Sequence, residues 1–378
     1  MFFHRLRWVA GLVLAVCCLS ACQSWRDLYL REPVVAYAEP DVFSRQESDF
    51  VVDVVRNLDE HYYRPESLDY CKLYNAALEG VRERLKQKGV KWNFRPVKDC
   101  HTNYRAGERF QEEFDRAWRI QEKDRSISAH ELVFAAADRM LDSLGRSHTR
   151  FIYPENASNE DDEYDGLSAS HSPPYTSGKR ILDGENEWSY VRFREFRNSA
   201  YSQFKDLYND PGIFAEDVDG VILDLRGNPG GLHTVLKKML SVFLRKGTEA
   251  FYTKGKKMNE SFTANKEPTT LLPLVVLIDE DSGSAAEIFA AVIQESHRGV
   301  IVGRRSMGAV EVAYRLGMPY GAQMSVTIAQ VYTASGACLE GVGVKPDFEA
   351  HRTEADIIAG KDPCLDKAQE VLRGLQDE

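Results

Sequence analysis

The 378 residues contain no CxxC pair and no HExxH spacing, and the nine histidines are scattered, so no ordinary zinc site is offered. There is no stripe or cluster of Lys and Arg, and the formal net charge is −10. Nucleic acid is therefore a poor partner for this surface. No internal repeat is found, which excludes a solenoid or propeller array. The apolar run Trp8–Leu19 is too short to cross a bilayer. What is present is ordinary for a chain that buries a core: 43% hydrophobic and 28% charged residues.

The start of the chain has the form of an export signal. His4, Arg5 and Arg7 precede the run Trp8–Leu19, which is shaped like a secretory h-region. It ends in Leu19-Ser20-Ala21-Cys22, which resembles a bacterial lipobox. That reading makes residues 1–22 a lipoprotein signal peptide with Cys22 lipidated, and residues 23–45 a tether with Pro33, Pro40 and few periodic positions. A plain signal peptide with chance cysteines is the alternative. An acyl anchor at Cys22 holds a protein on a membrane face without a spanning helix. In a Gram-negative host, Gln23 rather than Asp points to the periplasmic face of the outer membrane. Four cysteines remain, Cys71, Cys100, Cys338 and Cys364, and three pairings are open to them. Neighbour pairing, 71–100 and 338–364, is expected in an oxidising compartment.

Residues 46–150 read as a helical N-terminal subdomain. Phe50, Val51, Val54, Val55 and Leu58 recur at helical spacing, as do Tyr74, Ala77, Leu78, Val81 and Leu85. Residues 151–187 read as a loop or lid, acidic over 159–165 and rich in Ser, Pro and Gly over 168–178. Residues 188–378 then alternate strands with helices. Strands are expected at Val221–Leu223, Leu274–Ile278 and Val300–Val302, with helices over Thr234–Phe243 and Ala285–Gln294. Such alternation builds an α/β layered sheet with right-handed crossovers.

Two segments have the makings of chemistry. Asp281-Ser282-Gly283-Ser284-Ala285-Ala286-Glu287 lies between a strand and a helix. Ser284 then stands at a helix N-terminus, where N–H groups and the dipole stabilise a developing anion. The competing explanation is a capping box, Ser-x-x-Glu, with Ser284 serving only the helix. Asp224-Leu225-Arg226-Gly227-Asn228-Pro229-Gly230-Gly231 follows another buried strand. Paired glycines let main-chain donors approach a reacting group, as an oxyanion hole requires, or merely make a turn.

Together with Ser147-His148-Thr149 and Glu340-Gly341-Val342-Gly343-Val344-Lys345-Pro346-Asp347, these segments follow the order found in tail-specific (C-terminal processing) and tricorn-core serine peptidases, which the sequence resembles. The resemblance implies a Clp-protease/crotonase-like α/β core with a helical N-terminal subdomain. Too few residues follow His148 before the next strand to hold the PDZ domain usual in tail-specific proteases. It implies Ser284 as nucleophile, and main-chain donors at Gly230 or Gly231 and at Ala285. In the tail-specific branch a lysine activates the serine, within a Thr-Phe-Gly-Lys-Gly motif. Here the stretch is Ser306-Met307-Gly308-Ala309-Val310, and Ala309 cannot accept a proton. Lys256, Lys257 and Lys266 lie in a polar segment and make poor substitutes. The tricorn-like branch uses a histidine base supported by glutamate, which maps onto His148 and Glu340, bridged by Ser147. His233, directly after the glycine pair, is a rival base.

The expectation is an exported serine endopeptidase that works through an acyl-enzyme on Ser284 and needs no metal or cofactor. Its partners would be a protein or peptide substrate and, through Cys22, a membrane; nucleic acid is excluded. The alternatives are an inactive family member that binds peptides or an apolar ligand, and a structural envelope protein with an inherited fold.

Overall fold

Phe50, Val51, Val54, Val55 and Leu58 line one face of helix α1 (Ser48–His61) and are all buried. The same spacing buries Tyr74, Ala77, Leu78, Val81 and Leu85 on α2 (Tyr70–Gln87), which ends just before Gly89. Helix α3 (Asn103–Gln121) is far more polar and contributes Ala106, Phe110, Phe114 and Ala117 to the same cluster. Helix α4 (Ala129–Asp142) opens on a capping box between Ser128 and Glu131. The four pack into one helical core, in which each fully buried Leu or Val contributes about 1.5–3 kcal/mol. A disulfide joins Cys71 of α2 to Cys100, just before α3. The computed structural model describes residues 47–98, 100–121, 127–156, 174–214 and 217–376. The signal peptide, Cys22 and the tether expected over 1–45 lie outside these residues, as does the acidic segment 159–165.

The strands fall into two sheets. After β1 (Arg150–Ile152), the hairpin β2 (Thr176–Asp183) and β3 (Asn186–Phe193) leads to α5 (Asn198–Tyr208). Then come β4 (Gly220–Asp224), α6 (His233–Phe243), β5 (Glu249–Lys254), β6 (Ser261–Thr263), β7 (Leu274–Ile278), α7 (Ala285–Glu295) and β8 (Val300–Gly303). The chain closes with β9 (Glu311–Gly317), β10 (Gln323–Thr333), β11 (Phe348–Glu349), α8 (Glu354–Ile358) and α9 (Pro363–Gln376). One sheet has the order β11-β8-β7-β4-β3-β2, and all but its β2 edge runs parallel. In the other, β10 pairs antiparallel with β1, β5 and β9, and β5 with β6.

Both faces of the parallel sheet are buried, which is why its strands read as unbroken apolar runs. Val221 and Leu223 of β4 face the core beneath α6 and α7, while Ile222 faces Ala368 and Leu372 of α9. Every residue of α7 from Ala285 to Ile293 is buried, and its alanines let the helix fit closely against its neighbours. This is the α/β core with a helical N-terminal part that the motifs implied, and no PDZ domain occurs among the described residues.

Two expectations need correction. Residues 151–187 are not all loop, because β2 occupies Thr176–Asp183. As an edge strand with only Thr176 buried, it lacks the apolar alternation that marks a strand in sequence. Cys338 and Cys364 are unpaired. Cys364 lies in the first turn of α9, buried against the outer face of the parallel sheet, whereas Cys338 forms a backbone bridge with Tyr332 at the end of β10.

Candidate active site

Ser284 lies between β7 and α7 with φ 51° and ψ −116°. A non-glycine residue there stores on the order of 1–3 kcal/mol of strain. The surrounding contacts show what holds it. Its N–H is shared by the Ala309 carbonyl and a Glu287 carboxylate oxygen, each at 3.0 Å. Glu287 is fully buried and also accepts from the Ser306 hydroxyl (2.5 Å), the Gly308 N–H (2.6 Å) and the Ala309 N–H (2.9 Å). Burial pushes its pKa up while these four donors pull it down, and burial prevails. The capping box expected from Ser-x-x-Glu is thus present, with Glu287 accepting the Ser284 N–H, and Ser284 also lines the cleft described below.

The glycine turn closes over this serine. Gly230 has φ 104°, and a Cβ built on it would stand 2.6 Å from the Ser284 Cβ and 2.8 Å from the Ala285 nitrogen. Only glycine fits. Asn228 fixes the turn, accepting the Gly230 N–H at 2.8 Å and donating to the Phe193 carbonyl at 2.8 Å. This occupies one of the expected donors. The Gly231 and Ala285 N–H groups donate to no partner among the described residues, and they remain as the pair suited to an oxyanion. Arg226 does not brace the glycines directly. It grips buried Asp224 and reaches Asp362 at the start of α9.

The third component comes from the far end of α4 and from the loop after β10. The Ser147 hydroxyl stands 2.8 Å from His148 Nδ1 and donates to Glu340 Oε1 at 2.9 Å. The other oxygen of Glu340 accepts the Val310 N–H at 2.6 Å. A carboxylate only accepts, so the Ser147 proton points to Glu340 and its oxygen takes the proton of Nδ1. Nε2 is then the basic nitrogen. Burial holds the His148 pKa below the ordinary imidazole value; Glu340 pulls it up and Arg150 down. The ring is accordingly neutral at pH 7, as a base must be.

His148, Ser284, Gly230, Gly231 and Ala285 line one cleft of about 600 Å³. His233 lines it too, but its ring packs edge-on against Phe251 and burial lowers its pKa to about 4. So weak a base is a poor rival. Lys256 and Lys257 are turned to Asp59 and Glu60 of α1. Glu311 was missed in the sequence. Its buried carboxylate accepts from the Thr327 hydroxyl at 2.7 Å and from the main-chain N–H of His148, and pairs with Arg146 at 3.2 Å. An acid inside the apolar run Val310-Glu311-Val312 was the available signal. Donor atoms of His148, Glu311 and Glu340 lie within 4.8 Å of one another. Among the described residues these three could close on a metal, but each carboxylate is already engaged by the hydrogen bonds above.

Known proteins supply an independent comparison. The profile of peptidase family S41 matches residues 187–350. A carboxyl-terminal-processing protease of Synechocystis sp. is 32% identical over 188 residues, 49% of this chain and 44% of that one. The carboxy-terminal processing protease CtpA of Bacillus subtilis is 37% identical over 169 residues, 44% of this chain and 35% of that one. The chain thus spans less than half the length of these relatives. A lipoprotein from Streptococcus agalactiae shares the fold with a TM-score of 0.55 at 13% identity, covering 88% of this chain and 98% of that one. These matches identify residues 187–350 as a peptidase family S41 domain, the stretch that holds Ser284 and the glycine turn.

Proposed function

We propose that this protein is a serine endopeptidase that cleaves peptide bonds through an acyl-enzyme on Ser284, with His148 as general base. The observation that carries the reading is the hydrogen-bonded chain Glu340–Ser147–His148, whose imidazole end lines the cleft that Ser284 also lines. His148 Nε2 takes the Ser284 proton as Oγ attacks the scissile carbonyl carbon. The oxyanion is met by the Ala285 and Gly231 N–H groups, where preorganised donors are worth roughly 3–4 kcal/mol each. Collapse releases the amine, which leaves with the proton held by His148. Water, deprotonated by the same ring, then hydrolyses the ester and restores Ser284. Ser147 and Glu340 orient the imidazole and stabilise its charged form.

The relatives named as carboxyl-terminal-processing proteases support a peptide substrate. Export with a lipid anchor at Cys22 is part of the proposal, and the lipobox-like Leu19–Cys22 and the Cys71–Cys100 disulfide support it. Hydrolysis of internally quenched peptides tests the activity. It is expected in the wild type, and lost in Ser284→Ala and after fluorophosphonate treatment. Well-folded protein that binds such peptides without cleaving them would favour a non-catalytic member, a reading to which Ala309 at the lysine position lends weight.

A further inference from the structure

The strand register aligns Arg150 of β1 with Ser325 of β10, and Ser325 in turn with Arg315 of β9. Partners across an antiparallel ladder project to one face, with Cβ atoms about 4.5–5.5 Å apart. Two guanidiniums therefore flank one small hydroxyl. The alternate residues Phe151, Met324, Val326 and Leu316 turn to the opposite face and join the helical core. Arg150, Ser325 and Arg315 all line the cleft that holds Ser284.

Electrostatics make this row unusual. Burial lowers the Arg315 pKa, and the like charge of Arg150 lowers it further. The cleft lining carries Arg150, Arg197 and Arg315 against two acids, Glu195 and Glu311. Glu195 is held by Arg197 at 2.7 Å and Glu311 by Arg146 at 3.2 Å. Arg150 and Arg315 also have interactions within the protein, which an arriving anion would join or exchange. Planar, forked guanidiniums match a carboxylate better than any other side chain does. Arg150 follows His148 by two residues, roughly 7 Å of extended chain. A peptide laid along the strand would bring a group two or three residues from the reacting bond within reach of it.

We propose that Arg150 and Arg315 form a carboxylate-binding subsite that selects peptides bearing a negative charge two or three residues from the cleaved bond. This rests on the peptidase reading of the same cleft. The carboxylate has two possible sources, an Asp or Glu side chain and the terminal carboxylate of the substrate.

Matched quenched peptides separate these sources. One series carries Glu or Gln at each of three positions on either side of the cleaved bond; the other ends in a free carboxylate or an amide. On the full chain, the acid member of one series is expected to have kcat/KM higher on the order of 10-fold, shrinking as salt is raised. The responding series identifies the source. In Arg150→Gln/Arg315→Gln the acid-to-amide ratio falls toward 1. Ser325→Asp, which places a carboxylate between the two cations, does the same and guards against a double variant that fails to fold. A ratio near 1 in the wild type, or one that survives both variants, overturns the proposal. Binding of the same pairs to Ser284→Ala, by fluorescence anisotropy, separates the two readings. Acid preference in binding without any wild-type hydrolysis leaves the subsite standing and removes the peptidase. Hydrolysis without preference removes the subsite alone.

Discussion

The Ala309 carbonyl accepts the Ser284 N–H at 3.0 Å, so the residue at the lysine position of the tail-specific branch holds the proposed nucleophile through its main chain. On the proposed mechanism activation comes instead from His148, which lines the cleft and has an orienting partner. Ala309→Lys is expected to leave kcat/KM unchanged or lower. A rise of about 10-fold or more, with an alkaline shift of the pH profile, would assign the wrong base.

Glu287 holds together the strained turn at Ser284 and the segment Ser306–Ala309. Glu287→Gln keeps one acceptor oxygen and turns an NH₂ group toward main-chain N–H donors. We expect a stability loss of about 2–4 kcal/mol and kcat at least ~10-fold lower. Denaturant unfolding and single-turnover kinetics measure the two effects. Wild-type kcat would show that Glu287 plays no part in positioning the nucleophile.

Ser147→Ala breaks the path between His148 and Glu340 and leaves Nδ1 without its acceptor. The expected fall in kcat/KM is roughly 10- to 100-fold, because the ring loses its orientation. Ser147→Thr, which keeps a hydroxyl, should recover most of it. An alanine variant as active as the wild type would remove Ser147 from the relay.

His233 makes stability depend on pH. Its folded pKa of about 4 lies below the ordinary value of 6.5. Between these values the unfolded chain binds more protons, so stability rises with pH and is lost as pH falls from 6.5 toward 4. The contribution is at most about 3 kcal/mol. His233→Gln should flatten this part of the profile in urea titrations run from pH 4 to 7.

Much of this molecule was legible before the fold was known, and the reasons are specific. Val221–Leu223 and Leu274–Ile278 are buried on both faces, so each run announces itself as a strand. The edge strand β2 buries only Thr176 and left no such trace. That Ser284, Gly230 and Gly231 belong to one site was implied by the family resemblance, because each segment alone reads as well as a capping box or a turn. Which glycine keeps its N–H was not implied, because that depends on Asn228 folding back onto Gly230. Glu311 and the Arg150–Ser325–Arg315 row depend on the register of β1, β9 and β10, which segments far apart in sequence create together.

The most direct test follows the rate of Ser284 phosphonylation by a fluorophosphonate from pH 5 to 9, in the wild type and in His148→Ala. Burial holds the His148 pKa below 6.5, so the rate should climb through a midpoint under that value and plateau by neutrality. His148→Ala should lose the step and most of the rate. A rate indifferent to His148, or one that only begins to rise near pH 9, would contradict the account.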